Sequence, residues 1–184
     1  TVLQEYDAFN TTIVSKQEIE NEKISTTSIR QDLINGELQK ANDALGYIYS
    51  IKGTVVQGEK RGRTIGFPTA NIQPSDDYLL PRKGVYAVSI EIGTENKLYR
   101  GVANIGVKPT FHDPNKAEVV IEVNIFDFED NIYGERVTVN WHHFLRPEIK
   151  FDGIDPLVKQ MNDDKSRAKY LLAVDFGDEV AYNI

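Results

Sequence analysis

Cysteine is absent from this sequence of 184 residues, and no apolar run approaches the length of a membrane span. The first absence excludes a disulfide framework and thiolate metal sites, and the second argues against a transmembrane helix. Positive charge is in deficit, since the formal net charge is −7 and the pI is about 5.0. This balance argues against a general nucleic-acid surface. The composition, 40% hydrophobic and 27% charged, is that of a globular protein, which we expect to be soluble and cytoplasmic, with no membrane or nucleic-acid partner.

Histidine is scarce as well, since His112, His142 and His143 are the three in the chain. His142 and His143 are adjacent, and adjacent side chains point to opposite faces of a strand. We therefore expect no zinc site built from these three residues.

The part of the chain before residue 47 has helical spacing of its apolar residues. Ser25 or Thr26 is placed to cap a helix that runs through Leu33, and the pattern over residues 38–45 predicts a second short helix. Two helices of this length cannot bury a core of their own. The segment must therefore pack against something else.

Strand patterns follow Tyr49. Alternation of apolar and polar residues predicts strands over residues 85–92, 117–128 and 136–144. Trp141 continues the apolar face of the last of these strands, so we assign it to the core. Strands separated by polar turns are typical of a meander or of a closed antiparallel barrel.

Helical spacing returns at Ile154, and Asp163 is placed to cap a last helix that carries Tyr170. Residues 175–184 show no clear pattern. The sequence therefore predicts a mainly β protein with a short helical segment before the strands and helices after them.

The most informative stretch is residues 62–71, which reads Gly-Arg-Thr-Ile-Gly-Phe-Pro-Thr-Ala-Asn. Glycines let backbone N–H groups approach an anion closely. The Thr69 hydroxyl and the Asn71 amide oxygen would point the same way on a strand, and hard oxygen ligands suit a Mg²⁺ ion that carries nucleotide phosphates. From the chemistry alone, a plain loop that enters a strand is an equally good reading.

A resemblance to a known family emerges when several blocks of the chain are read in order. These blocks resemble riboflavin kinase, specifically the kinase module of the bacterial bifunctional riboflavin kinase/FAD synthetase. They are residues 53–71, 84–86, 104–111, 128–136, 144–148 and 150–152. The resemblance covers residues of about 48 to 174, in order. It implies a closed, Greek-key-like antiparallel barrel of about six strands with C-terminal helices.

The resemblance implies roles for the glycine-rich stretch. Thr69 and Asn71 would hold Mg²⁺ and the phosphates of ATP. The remaining nucleotide-binding or phosphate-binding residues would be Gly58, Lys60, Gly62, Arg63, Gly66 and Pro68. Without the resemblance, a mobile basic hairpin would be the preferred interpretation of this loop.

Glu122 is the candidate catalytic base. It falls on the polar side of the strand predicted over residues 117–128, and a carboxylate beside a primary alcohol can accept its proton. A solvated strand glutamate is the alternative, which spacing alone favours. By resemblance, Glu122 aligns with the family's catalytic glutamate. Asn124 departs from the pattern, since many relatives carry a histidine at that position.

Five residues are candidates for flavin binding. By resemblance, the flavin-side loop would supply Asn104, Pro109, Thr110 and Phe111, and Arg146 would be the flavin-site arginine. A simple turn is the alternative for the loop, and a surface salt bridge with Glu148 is the alternative for Arg146.

Residues 23–30 resemble the signature that ends the FAD synthetase adenylyltransferase domain, with Ser25, Thr27 and Arg30 at its marked positions. The His-x-Gly-His element of that domain is absent from this sequence. We therefore expect residues 1–47 to be the tail of such a domain, whose body is missing here. Residues 48–174 would then be the kinase domain, and residues 175–184 would be a C-terminal tail. A capped helical hairpin is the alternative for the first segment.

The predicted function is that of an ATP:riboflavin 5′-phosphotransferase with Mg²⁺, which would bind riboflavin and ATP and release FMN and ADP. A non-catalytic flavin-binding or regulatory module is the alternative. An adenylyltransferase that makes FAD is not expected of this chain, although it would be of a longer parent.

Overall fold

The structure, a computed structural model, describes residues 18–19, 22–58, 61–94, 97–109 and 117–178. Two short strands, β1 (Glu18–Ile19) and β2 (Glu22–Lys23), pair with each other. The helices α1 (Thr26–Asn35) and α2 (Leu38–Leu45) follow. The remaining elements are β3 (Ser50–Val56), α3 (Arg61–Thr64), β4 (Ala70–Pro74), β5 (Gly84–Ile92), β6 (Lys97–Pro109), β7 (Ala117–Ile125), β8 (Arg136–Arg146) and α4 (Ile154–Asp175).

The first helix starts and stops where its sequence predicts. The Ser25 hydroxyl accepts a hydrogen bond from the Ser28 backbone N–H at 3.1 Å, and the Ser28 side chain reaches back to the Ser25 N–H. This reciprocal pair is a capping box. Gly36 ends the helix with φ at 83°, a conformation that costs little without a side chain. Ser25, rather than Thr26, is therefore the cap.

The six strands from β3 to β8 close into an antiparallel barrel in the order β3-β4-β7-β6-β5-β8, which confirms the predicted fold class. Every second side chain points into the barrel, as the strand alternation predicts. Trp141 is fully buried among these inward side chains, and its ring meets the Tyr86 ring edge to face at 5.0 Å. The assignment of Trp141 to the core is confirmed.

The α1–α2 hairpin packs onto the barrel. Leu33, Leu38 and Ala41 belong to the same apolar core as the barrel interior. The buried Asn42 fastens this contact, since its Nδ2 donates to the Trp141 carbonyl at 3.0 Å and its Oδ1 accepts from the Tyr49 N–H at 2.8 Å. The barrel thus supplies the support that two short helices lack by themselves.

The C-terminal part of the fold is one helix, and the prediction of a second helix capped by Asp163 was wrong. Helix α4 runs without interruption, and Asp163 lies exposed within it. Neither glycine nor proline occurs after the first turn, so nothing breaks the helix at the polar residues 162–164. The Asn162 side chain donates to the Val158 carbonyl one turn earlier, which satisfies it inside the helix.

Helix α4 covers the outer face of the barrel at β5. Ala168 and Leu172 pack against Val85, Ala87 and other outward apolar residues in a second buried cluster. Strand β5 is therefore buried on both faces, which explains its nearly continuous apolar sequence. Of the helices in the described ranges, none is long and apolar enough to cross a membrane.

Candidate functional site

Four predicted site residues stand in one row on the outer face of the barrel. Asn71 on β4 pairs with Glu122 on β7, and Glu122 pairs with Asn104 on β6. The row continues through Val85 on β5 to Arg146 on β8. Side chains of directly paired residues lie about 5 Å apart at Cβ, so the register brings Asn71, Glu122 and Asn104 together. Residues from four strands thus form one polar surface.

The connection from β3 to β4 wraps closely over this row, and two glycines make the approach possible. A Cβ atom on Gly58 would lie 2.0 Å from the Asn71 Nδ2, and one on Gly62 would lie 2.1 Å from the Phe67 carbonyl oxygen. Both distances are shorter than any non-bonded contact. The Phe67 N–H donates to the Gly62 carbonyl at 2.8 Å and closes the turn. Gly66 adopts φ of 82°, which also favours glycine.

A first cavity of about 340 Å³ lies between this turn, the row and helix α4. Its lining combines apolar side chains, which suit a planar ring system, with polar side chains from several elements. The apolar lining residues are Ile65, Phe67, Val85, Val102, Ile149, Phe151, Leu157 and Met161. The polar ones are Thr69, Asn104, Glu122, Asn124, Arg146, Glu148, Asp164 and Lys165.

A second cavity of about 490 Å³ lies on the other side of the Pro68–Thr69 segment. Arg63 lines it together with Pro68 and with residues of the β7–β8 connection, among them Phe128 and Tyr133. Thr69 lines both cavities. The two cavities are therefore adjacent at Thr69.

The Arg146 side chain is held by a carboxylate that sequence reasoning did not single out. Its Nε lies 2.9 and 3.0 Å from the two Asp164 oxygens, and its Nη2 donates to Asp164 Oδ2 at 2.7 Å. Gln160 donates to the same carboxylate at 3.0 Å. The partner of Arg146 is thus Asp164 on α4, and the alternative of a salt bridge with Glu148 was wrong. No signal in the sequence pairs Arg146 with a residue inside a predicted helix.

The family of the chain is decided by comparison with known proteins. The flavokinase family model, described as riboflavin kinase, matches residues 45–172, which is more than half of the chain. The chain belongs to the riboflavin kinase family. The resemblance seen in the sequence is confirmed, and with it the enzyme class, a phosphotransferase.

Two curated relatives carry the description bifunctional riboflavin kinase/FMN adenylyltransferase. The protein from Listeria monocytogenes is 48% identical over 165 residues, which are 90% of this chain and 51% of the relative. The protein from Bacillus subtilis is 46% identical over 157 residues, 85% of this chain and 49% of the relative. The chain therefore spans about half the length of the curated relatives it matches.

A solved structure agrees with the fold. It is described as a macrolide-efflux protein from Streptococcus pneumoniae, and it superimposes with a TM-score of 0.78 at 42% sequence identity. The match covers 85% of this chain and 50% of that chain. Most of this fold is therefore shared with about half of that chain.

Some residues predicted for this riboflavin kinase site cannot be placed. Lys60, Thr110, Phe111 and also His112 lie outside the described residues. Pro109 is the last residue of β6, where it pairs with Ala117. Of the other predicted residues, the first cavity is lined by Gly62, Thr69, Asn104, Glu122 and Arg146, and the second by Arg63, Pro68 and Thr69. Gly58, Gly66 and Asn71 line neither cavity. Their individual roles remain predictions.

The two adjacent histidines form a separate cluster under the end of α4, and the prediction that they point oppositely was wrong. His142 Nδ1 lies 3.2 Å and His143 Nε2 lies 2.8 Å from the same oxygen of Asp175. The register of β5 and β8 shifts between Ala87, which pairs with His143, and Val88, which pairs with Trp141. His142 is therefore the extra residue in β8, and this irregularity lets both rings face α4. A β-bulge therefore breaks the alternation that the prediction assumed.

The His142 ring is buried and also contacts Ser89, whose hydroxyl lies 2.9 Å from Nε2. This order of serine, histidine and aspartate resembles a hydrolase triad, but Ser89 is 1% exposed, so no substrate reaches its hydroxyl. Burial lowers the pKa of His142, while the Asp175 carboxylate acts in the opposite direction. We interpret the cluster as structural.

The described ranges contain no group of three or more His, Cys, Asp or Glu side chains arranged to hold a metal ion. The residues that fit a divalent cation are instead the neutral oxygen donors Thr69 and Asn71, which stand beside the glycine-lined turn. Such a ligand set binds Mg²⁺ weakly unless phosphate oxygens complete the coordination. The chemistry of this riboflavin kinase site therefore fits a metal that arrives with a nucleotide.

Proposed function

We propose that the chain is an ATP-dependent riboflavin kinase, which transfers the terminal phosphate of ATP to the 5′-hydroxyl of the ribityl chain and forms FMN. The observation that carries the proposal is the position of Thr69 in the walls of both cavities. A phosphate donor and a phosphate acceptor need separate pockets that meet at the transferred group.

The second cavity suits the nucleotide. The nucleotide base would lie against the β7–β8 connection, and the phosphates would reach the turn that precedes Thr69. Arg63 supplies a positive charge beside this cavity. Lys60, Gly66 and Pro68 complete the predicted set. Thr69 and Asn71 would hold Mg²⁺, which supplies charge neutralisation on the transferred phosphoryl group when it is bound.

The first cavity suits the flavin. Its apolar walls would enclose the ring system, and its polar side would face the ribityl chain. Asp164 fixes the plane of the Arg146 guanidinium, so its remaining N–H groups have a defined direction toward the ligand. Asn104 would contact the ligand beside Glu122. Pro109 at the end of β6, Thr110 and Phe111 complete the predicted flavin-binding set.

Glu122 is placed to act as the general base. Its carboxylate would take the proton from the 5′-hydroxyl while the hydroxyl oxygen forms its bond to the γ-phosphorus. The bond between that phosphorus and the β–γ bridging oxygen breaks, and ADP leaves with the electron pair. The row that joins Asn71, Glu122 and Asn104 keeps the base within one strand spacing of the proposed metal ligand.

The chain also belongs to a larger enzyme in this proposal. The relatives named above are bifunctional, and the chain matches about half of each. We infer that residues 1–47 end an adenylyltransferase domain that acts in cis on the FMN product. We also propose that the protein is cytoplasmic. The capped hairpin formed by α1 and α2 is compatible with this origin, since it packs on the barrel through its own apolar side chains.

The test is the formation of FMN from riboflavin and ATP with Mg²⁺, followed by flavin chromatography, for the wild type and Glu122→Gln. We expect FMN without FAD from the wild type, and a fall in kcat of at least about 100-fold in the variant, because a general base contributes that much or more. Glu37→Gln is the control, since Glu37 is an exposed glutamate at the start of α2.

The outcomes separate the candidate functions. A Glu122→Gln variant with nearly full turnover would remove Glu122 from the mechanism and leave the kinase assignment standing. Folded wild-type protein that binds flavin but makes no FMN would contradict the kinase and favour the flavin-binding module.

A further inference from the structure

Asn124 stands on the same face of β7 as Glu122, and its side chain crosses to the neighbouring segment. Its Nδ2 donates a hydrogen bond to the Pro68 carbonyl at 2.8 Å. Pro68 immediately precedes Thr69, the residue shared by both cavities. The side chain therefore connects the strand of the proposed base to the segment of the proposed metal ligand.

The backbone cannot make this connection by itself. The pairing of β4 with β7 begins at Ala70 and Val123, so Pro68 and Thr69 lie before the first residue of the ladder. Pro68 has no N–H group, which prevents the ladder from extending through it. Its carbonyl still needs a donor. The Asn124 amide supplies that donor and continues the attachment of the segment beyond the end of β4.

We propose that Asn124 is a positioning residue that holds the Thr69 hydroxyl at a fixed place relative to Glu122. The inference rests on the proposed kinase function. The bond acts between the turn that the Phe67 N–H closes on Gly62 and the ladder that begins at Ala70. Phosphoryl transfer depends on alignment of donor and acceptor, and a displacement of about 1 Å can cost a factor of about 100 in rate.

The position also has a chemical requirement. The acceptor is a carbonyl, so the side chain at position 124 must donate a hydrogen. Histidine can donate through a ring N–H, whereas alanine cannot. The two substitutions Asn124→Ala and Asn124→His therefore separate the loss of the hydrogen bond from the loss of the asparagine itself.

The experiment is steady-state FMN formation by the full chain. MgATP is varied at fixed riboflavin and riboflavin is then varied at fixed MgATP, at a temperature below the onset of unfolding of every variant. We expect Asn124→Ala to lower kcat/KM for MgATP by at least about 10-fold. Asn124→His should recover most of the loss. Asn162→Ala is the matched control, because Asn162 is exposed and its amide also donates to a backbone carbonyl.

Equal kcat/KM for MgATP in Asn124→Ala and Asn162→Ala would overturn the proposal. A folded Asn124→His variant that is no better than the alanine variant would overturn it as well. Titration of MgADP into the same proteins gives a readout that does not need turnover, and Asn124→Ala should bind it more weakly. Absence of FMN from the wild type would contradict the kinase, whereas MgADP affinity unchanged by Asn124→Ala would contradict the positioning role.

Discussion

Replacing Asp164 with asparagine removes the charge that holds Arg146 and, through it, the wall of the first cavity. The two side chains are 7% and 15% exposed, so the ion pair is largely shielded from water. Breaking a buried pair by removing one partner costs about 3–5 kcal/mol. Asparagine keeps one acceptor oxygen, and Arg146 retains the Pro147 carbonyl at 3.0 Å, so we take the lower value of about 3 kcal/mol.

The assay is urea unfolding followed by tryptophan fluorescence, which reports on Trp141 in the barrel core. With a denaturant dependence of about 2 kcal/mol per molar, the midpoint should fall by about 1.5 M. The neighbouring Asp163→Asn makes the same chemical change at an exposed position of the same helix. It should alter the free energy of unfolding by no more than about 0.5 kcal/mol.

The Asp164→Asn variant should weaken the binding of riboflavin more than the binding of the nucleotide. Asp164 and Arg146 line the first cavity, whereas neither lines the second. We expect the KM for riboflavin to rise while the KM for MgATP stays close to that of the wild type. If Asp164→Asn and Asp163→Asn unfold at the same urea concentration, the ion pair does not stabilise α4 on the barrel and the reasoning is refuted.

Two further predictions concern the turn and the histidine cluster. Gly62→Ala places a Cβ 2.1 Å from the Phe67 carbonyl oxygen, so the turn must open. We expect kcat to fall by at least about 10-fold because Thr69 follows this turn, and unchanged kinetics would show that catalysis does not depend on its shape. Burial lowers the pKa of His142 from 6.5, so the unfolded chain binds more protons as the pH falls through 6.5. Stability should therefore be complete above that pH and decline below it, by at most about 1.4 kcal/mol per pH unit from this group. Urea titrations from pH 7.5 to 5.5 should show a smaller decline in His142→Gln, and an equal decline would exclude His142 as the source.

Local features of the chain could be predicted because their causes are local. Ser25 caps α1 because its hydroxyl reaches an N–H group three residues away, and Gly36 ends the helix because it lacks a side chain. The strands at residues 85–92 and 136–144 were visible because one face of each meets the barrel core. The assignment of the glycine-rich stretch to phosphates came from the family resemblance, since a plain loop fits its residues equally well, and it stays a prediction.

The errors came from elements that interact over long stretches of chain. The pattern at residues 162–164 resembled a helix start because aspartate and asparagine favour caps, yet Asp164 lies in mid-helix and pairs with Arg146 on a strand. His142 and His143 were expected to diverge because regular strands alternate, yet a bulge turns both toward Asp175. In both cases a distant partner compensates for a local rule that is broken.

The sequence by itself determined the family, most of the strand and helix periodicities, the start of α1 to within one residue and the candidate residues of the phosphate turn. Each of these depends on neighbours within a few positions or on a motif that is contiguous in the chain. Only the tertiary structure decided that Thr69 borders two cavities, that Asn124 bonds to Pro68 across 56 positions, and that Asp164 holds Arg146. The physical reason is that closure of the barrel sets which strands become neighbours, and that choice depends on the burial of all six strands together.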